Sequence, residues 1–205
     1  RAAVDDGTPR GPLTVGSLET TASLRLSSVL GGFVAACPEV DFALRTGTTE
    51  ELVDDVLMDR VDGAFVCGPV DLAEFVVETV FREELVAVTA PTVRSLEAVT
   101  RVAETKIVVL SAGCSYRRRL EDILARRGTV DALVACAGAG LGVTLLPRGM
   151  VESARAAGRV GLHELPPEES LVDTVFLRRR DRRVSSALSA FLAIVREGVP
   201  QVEAA

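Results

Sequence analysis

The turn 111–117, Ser-Ala-Gly-Cys-Ser-Tyr-Arg, gathers residue types suited to holding a small anion. It follows the apolar run 107–110 and precedes helical periodicity, so the sequence predicts a strand-to-helix turn. Such a turn leaves backbone N–H groups unpaired and aims the positive end of the helix dipole at its occupant. Ser115 adds a hydroxyl, Arg117 adds a fixed charge, and Gly113 and Cys114 sit in the turn itself. An ordinary helix cap accounts for the same residues equally well.

Covalent chemistry is less well supplied. A nucleophilic Cys114 or Ser115 would need an adjacent base. His163, the sole histidine, alternates with apolar neighbours on a predicted edge strand and reads as a half-exposed strand residue. Glu19 could act as a general base, but no second carboxylate is placed by motif. Cys114, at a helix start near Arg117, would be the most reactive thiol and leaves a redox-sensing reading open. Its nearest cysteine in the sequence is Cys136. Cys37, Cys67, Cys114 and Cys136 show neither C-x-x-C nor histidine spacing, so no metal site and no cofactor is expected. The glycine run 138–142 follows a helix and precedes a strand, the reverse of a dinucleotide loop.

Composition narrows the field. Of 205 residues, 48% are hydrophobic and 25% charged, enough for a sizeable core in one large or two small domains. Aromatics make up only 4%, so Leu, Val and Ala are expected to fill that core. The net charge of −6 gives no footprint for nucleic acid, and the arginine runs 117–119 and 178–180 read as solvated surface beside acidic residues. No apolar run approaches membrane-spanning length and no signal-peptide core is present, which suggests a cytoplasmic location.

The elements that must position these residues follow in order. Strand 13–16, a helix carrying Leu26, Val29, Leu30 and Phe33 to Pro38, strand 40–45, a helix capped by Thr48-x-x-Glu51, and strand 64–67 make a β-α-β-α-β run. Two apolar runs, 76–81 and 85–90, are separated by the charged triplet 82–84. Further strands are expected at 107–110, 143–146, 162–165 and 174–177, with helices at 95–99, from 115, around 130–137, from 147 and over 188–195. Crossovers of this kind imply parallel sheets, with ligands beyond the carboxyl ends of the strands. The loops there, 17–21, 46–49, 67–69 and 111–117, are rich in Ser and Thr. They describe a place to hold something rather than to react it.

The segments 16–22, 26–33, 47–52, 62–66, 83–91, 113–117 and 140–147, in this order, resemble the effector-binding domain of LysR-type transcriptional regulators. The resemblance covers 11–197. It implies an α/β, periplasmic-binding-protein-like fold of type II, with lobe I over 12–80 plus 160–200 and lobe II over 83–157. Residues 1–11 would be the tail of a linker. It further implies no catalytic residue and a small-molecule effector, usually a carboxylate or other anion, held between the lobes.

Carried over by position, the effector contacts fall on Thr20 and the adjacent Thr21, on Thr48 and Cys67, and on Gly113, Cys114, Ser115 and Arg117. DNA would be read only through an N-terminal helix-turn-helix domain absent from this chain. The helices from Thr20 and Ser115 would line a homodimer, with a tetramer in the full-length protein. An enzyme or a solute-binding protein on the same scaffold are the other readings. The family places about ten residues, including a strand, where Gly128 here meets Thr129, so a further segment is expected there. Some members carry an arginine where this chain has Gly68 and Pro69, which weakens the case for a dicarboxylate.

Overall fold

A computed structural model of this α/β protein describes residues 7–100, 105–107, 119 and 141–198. In chain order its elements begin with β1 (Gly11–Ser17), α1 (Glu19–Thr21), a π-helical turn (Ala22–Leu26) and α2 (Ser27–Ala36). Next come β2 (Val40–Thr46), α3 (Thr49–Leu57), β3 (Gly63–Cys67), β4 (Phe75–Thr89), α4 (Leu96–Thr100) and β5 (Thr105–Ile107). The remainder are β6 (Leu141–Pro147), α5 (Arg148–Ala156), β7 (Gly161–His163), α6 (Pro167–Ser170), β8 (Leu171–Arg179) and α7 (Ser186–Glu197). The chain divides into two compact units, Arg1–Arg82 with Asp173–Ala205, and Glu83–Val172.

In the first unit the strand order is β2-β1-β3-β8-β4. β1 runs parallel to β2, Gly11 opposite Val40 through Ser17 opposite Thr46, and parallel to β3, Val15 opposite Gly63. β8 returns antiparallel to β3, with Ala64 opposite Leu177 and Cys67 opposite Thr174. The two-residue period of a strand then sorts the core into two layers. Leu13, Val15, Phe65 and Phe176 face α2 and α7, where Phe33, Leu188 and Phe191 meet them. Ala64, Val66, Val175 and Leu177 face the opposite way onto Leu52 and Val56 of α3.

Phenylalanine does more of this packing than the aromatic content suggested. All seven lie in the first unit, and Phe33, Phe42, Phe65, Phe81, Phe176 and Phe191 form one ring network with centroid separations of 4.9–6.2 Å. The expected Leu, Val and Ala core describes the second unit, where Val86, Val88 and Val151 are buried together.

The second unit pairs residues 85–88 of β4 antiparallel with β6 and 87–89 antiparallel with β7, while β5 runs parallel to β6. Three expectations change. The runs 76–81 and 85–90 are one strand, because the charged triplet keeps the alternation: Arg82 exposed, Glu83 buried, Glu84 exposed. Residues 160–172, assigned with lobe I from sequence, group with the second unit because β7 pairs with β4 there. A short proline-started helix, α6, precedes β8, which is longer than the 174–177 foreseen. The Gly128–Thr129 junction lies outside the described residues.

His163 is half-buried on β7, its Nε2 2.9 Å from the Thr89 hydroxyl oxygen. Burial pushes its pKa below the ordinary histidine value, against the opposing pull of Glu97. A lowered folded-state pKa means that the unfolded chain binds the proton more readily. Stability is therefore full above the unfolded value and falls as the pH drops below it toward the lowered folded-state value. Urea denaturation across that range should show this slope, and His163→Gln should flatten it. An equal slope in the variant would remove His163 as its cause.

Candidate functional site

The carboxyl ends of β1, β2 and β3 lie side by side and carry the loops 17–21, 46–49 and 67–69. Backbone bonds lock them together. Gly47 N–H donates to Ser17 O at 3.2 Å and Leu18 N–H to Phe65 O at 3.1 Å. Close approach requires Gly16: a Cβ there would sit 2.8 Å from Leu52 Cδ2 and 2.9 Å from Ala64 Cβ.

The first helix start is unusual. Leu18 occupies the N-cap position of α1 and offers no side-chain acceptor, so the first-turn amides have no side-chain cap. Thr20 and Thr21 follow at once, both buried. After three α-helical residues the helix widens into the π turn, and Ser27 N–H reaches back to Ala22 O before α2 continues. π turns within helices recur at functional sites, where they re-aim the neighbouring turn.

The second helix start is closed by its own residues. Thr48 and Glu51 form a complete capping box. Thr48 N–H donates to Glu51 Oε2 at 2.8 Å, the Thr48 hydroxyl donates to the same oxygen at 3.0 Å and accepts from Glu51 N–H at 3.3 Å. The bond from Thr48 N–H, then that from its hydroxyl, hold the Glu51 carboxyl below its usual pKa. Thr48 thus has its proton and one lone pair engaged, and a ligand would find only the remaining lone pair.

Thr49, which sequence reasoning did not single out, makes the link between loops: its hydroxyl oxygen accepts from Cys67 N–H at 3.4 Å. The only sequence signal was its place beside Thr48. Cys67 is a partly exposed thiol whose Sγ donates to Gly68 O at 3.5 Å, ahead of a cis Gly68–Pro69 bond. Loops 17–21, 46–49 and 67–69 contain one charged residue, the exposed Glu19, and no cation. The first unit therefore presents hydroxyls, amides and a thiol at one sheet edge.

Comparison with known proteins shows the family. The family described as the LysR substrate binding domain matches residues 6–200. The chain belongs to the LysR family of transcriptional regulators. It is 37% identical over 208 residues to the HTH-type transcriptional regulator GltR of Bacillus subtilis, covering 96% of this chain and 70% of that protein. It is 32% identical over 204 residues to the regulator CzcR of Bacillus anthracis, covering 95% and 69%.

Among solved structures, the Corynebacterium glutamicum OxyR C206 mutant superposes with a TM-score of 0.71 at 19% identity, covering 94% of this chain and 65% of that one. The cofactor-binding domain of the Cbl transcriptional regulator gives 0.71 at 18% identity, covering 98% and 94%. These likenesses show the fold: the type II periplasmic-binding-like fold of LysR effector-binding domains. The chain is the ligand-sensing domain of a LysR-type regulator and not an enzyme. No helix among the described residues is long and apolar enough to cross a membrane.

Of the residues singled out from sequence, the structure brings Thr20, Thr21, Thr48 and Cys67 to one edge of the LysR domain's first unit. Gly113, Cys114, Ser115 and Arg117 lie outside the described residues.

Proposed function

We propose that this domain senses a small anionic or carboxylate effector, using the carboxyl edge of β1, β2 and β3 as one wall of its site. The observation that carries this reading is the convergence of the uncapped α1 start, Thr20 and Thr21, and the Thr48–Thr49–Cys67 junction on one sheet edge. A helix start without its own cap offers amide donors to a carboxylate. No cation stands in loops 17–21, 46–49 and 67–69, so Arg117, with Ser115 and the Gly113–Cys114 turn, is the proposed source of positive charge.

Effector binding would favour one of two poses of the domain, and its differential affinity would set the shift. DNA would be contacted through a separate N-terminal domain of a cytoplasmic protein, this domain serving as a homodimer within a tetramer.

Thermal stability measured against a panel of small carboxylates tests the site. A responding carboxylate should lose about tenfold or more in affinity with Thr20→Val and with Ser115→Ala, the cost of a hydrogen bond to a charged group. Full response in both variants would overturn the assignment. Thr48→Ala should cost about 1 kcal/mol of stability by opening the capping box, whether or not an effector is present. Thr48→Ser should restore that stability.

A further inference from the structure

At the other end of the first unit's sheet lies a cavity of about 310 Å³. Asp59 and Asp62 line it just before β3 begins, and Arg178 and Arg179 line it where the antiparallel β8 ends. Arg182 and Arg183 complete it from the following loop. Four guanidinium groups against two carboxylates give this lining a formal charge of +2, in a chain whose net charge is −6.

Both carboxylates are already engaged. Asp62 Oδ2 accepts from Thr14 N–H at 2.8 Å. Asp59, held at a left-handed φ of 52°, is paired with Arg179 and Arg182. Arg179 is pinned, donating to Leu57 O at 2.9 Å and gripping Asp181 through two nitrogens. The other two arginines are not. Half-buried Arg178 makes one long bond, 3.4 Å, to Arg179 O, and Arg183 makes no ion pair among the described residues. Val56, Val61 and Leu188 supply an apolar floor, and α7 begins at the rim with no acidic residue in its first turn.

We infer that this cavity binds a small organic oxyanion, a phosphate or carboxylate head on a short aliphatic body, with Arg178 and Arg183 gripping the head and the apolar floor taking the body. Guanidinium forks match both kinds of oxyanion, and water-excluding apolar contact adds to that charge pairing. The site is separate from the carboxyl edge and stands independently of the effector assigned there. It also adjoins the start of the chain, because Ser186 Oγ, one residue after the lining Ser185, donates to Thr8 O at 3.0 Å.

Calorimetric titration of this chain with butyl phosphate, pentanoate, inorganic phosphate and butanol tests the inference. Saturable binding of butyl phosphate or pentanoate is expected, whichever is tighter naming the head group, with inorganic phosphate weaker and butanol without effect. Arg183→Gln and Arg178→Gln should each weaken it about tenfold or more. Arg155→Gln, which removes the same charge from the second unit, should not. Arg183 is exposed and makes no ion pair among the described residues, so its variant should keep the fold. No saturation by either organic anion at about 10 mM, or equal affinity in the Arg178→Gln/Arg183→Gln double variant, would overturn the proposal.

Discussion

Phe191→Ala should lower the unfolding free energy by about 3–5 kcal/mol, the range for emptying a phenylalanine site in a packed core. The side chain is fully buried on α7. Its ring meets Phe33 of α2 at 5.2 Å, Phe42 of β2 at 5.4 Å and Phe65 of β3 at 6.2 Å. Two helices and two strands therefore share this one ring. The cavity could not collapse easily, because each neighbour is itself fixed by another ring, as Phe65 is by Phe176 at 4.9 Å. Urea denaturation measures the loss, and Ser189→Ala, on the exposed face of the same helix, should move it by less than about 0.5 kcal/mol. A loss under about 1 kcal/mol at Phe191 would show that the ring network does not hold α7 to the sheet.

The second large effect is one of too little space. Gly63→Ala would place a Cβ 2.3 Å from Phe176 Cζ and 2.9 Å from the backbone oxygen of Leu177. Phe176 cannot withdraw, since its ring is packed on Phe65, and the carbonyl belongs to the paired strand. Overpacking of this kind costs about 1–3 kcal/mol or more. Because β3 ends in Cys67, the displacement would also be felt at the Thr49–Cys67 bond. Gly31→Ala makes the opposite case. Its Cβ meets nothing within 4 Å on exposed α2, so it should add about 0.5–1 kcal/mol. Thermal unfolding of the two variants should shift in opposite directions. A shared direction would mean that steric room does not decide these glycines.

Much of the first unit was legible because its signals are local. The Thr48-x-x-Glu51 box, the short apolar runs of β1 and β3, the alternation in β2, and Pro38 after α2 each specify structure within a few residues. The π turn was not legible, since its longer-range backbone bonds have no distinctive composition. Nor was the unity of β4, where a charged triplet imitates a turn while preserving the strand period.

At the site, sequence found the helix starts but not the state of their hydroxyls. Thr48 looked available and is engaged in its own cap, whereas Thr49 makes the tie to β3. The arginine run 178–180 read as uniform surface, but its members differ. Arg179 is pinned by acids, Arg180 donates to Ala73 O and Phe75 O, and Arg178 lines a cavity. Bonds to residues far away in the chain do most to separate them.

The chain leaves the first unit after Arg82 and returns at Asp173, and those two residues form a bidentate ion pair, at 2.8 and 3.4 Å. At the far end of the same strand pair, Arg180 N–H donates to Glu74 O. Exit and return are thus already held as the two arms of a hairpin. The ninety residues between them are topologically an insertion, carried in one turn of the first unit. A short turn in their place would give a shorter chain containing the whole phenylalanine network and both sheet ends proposed here to hold anions. Each could then be studied in the absence of the other half of the chain.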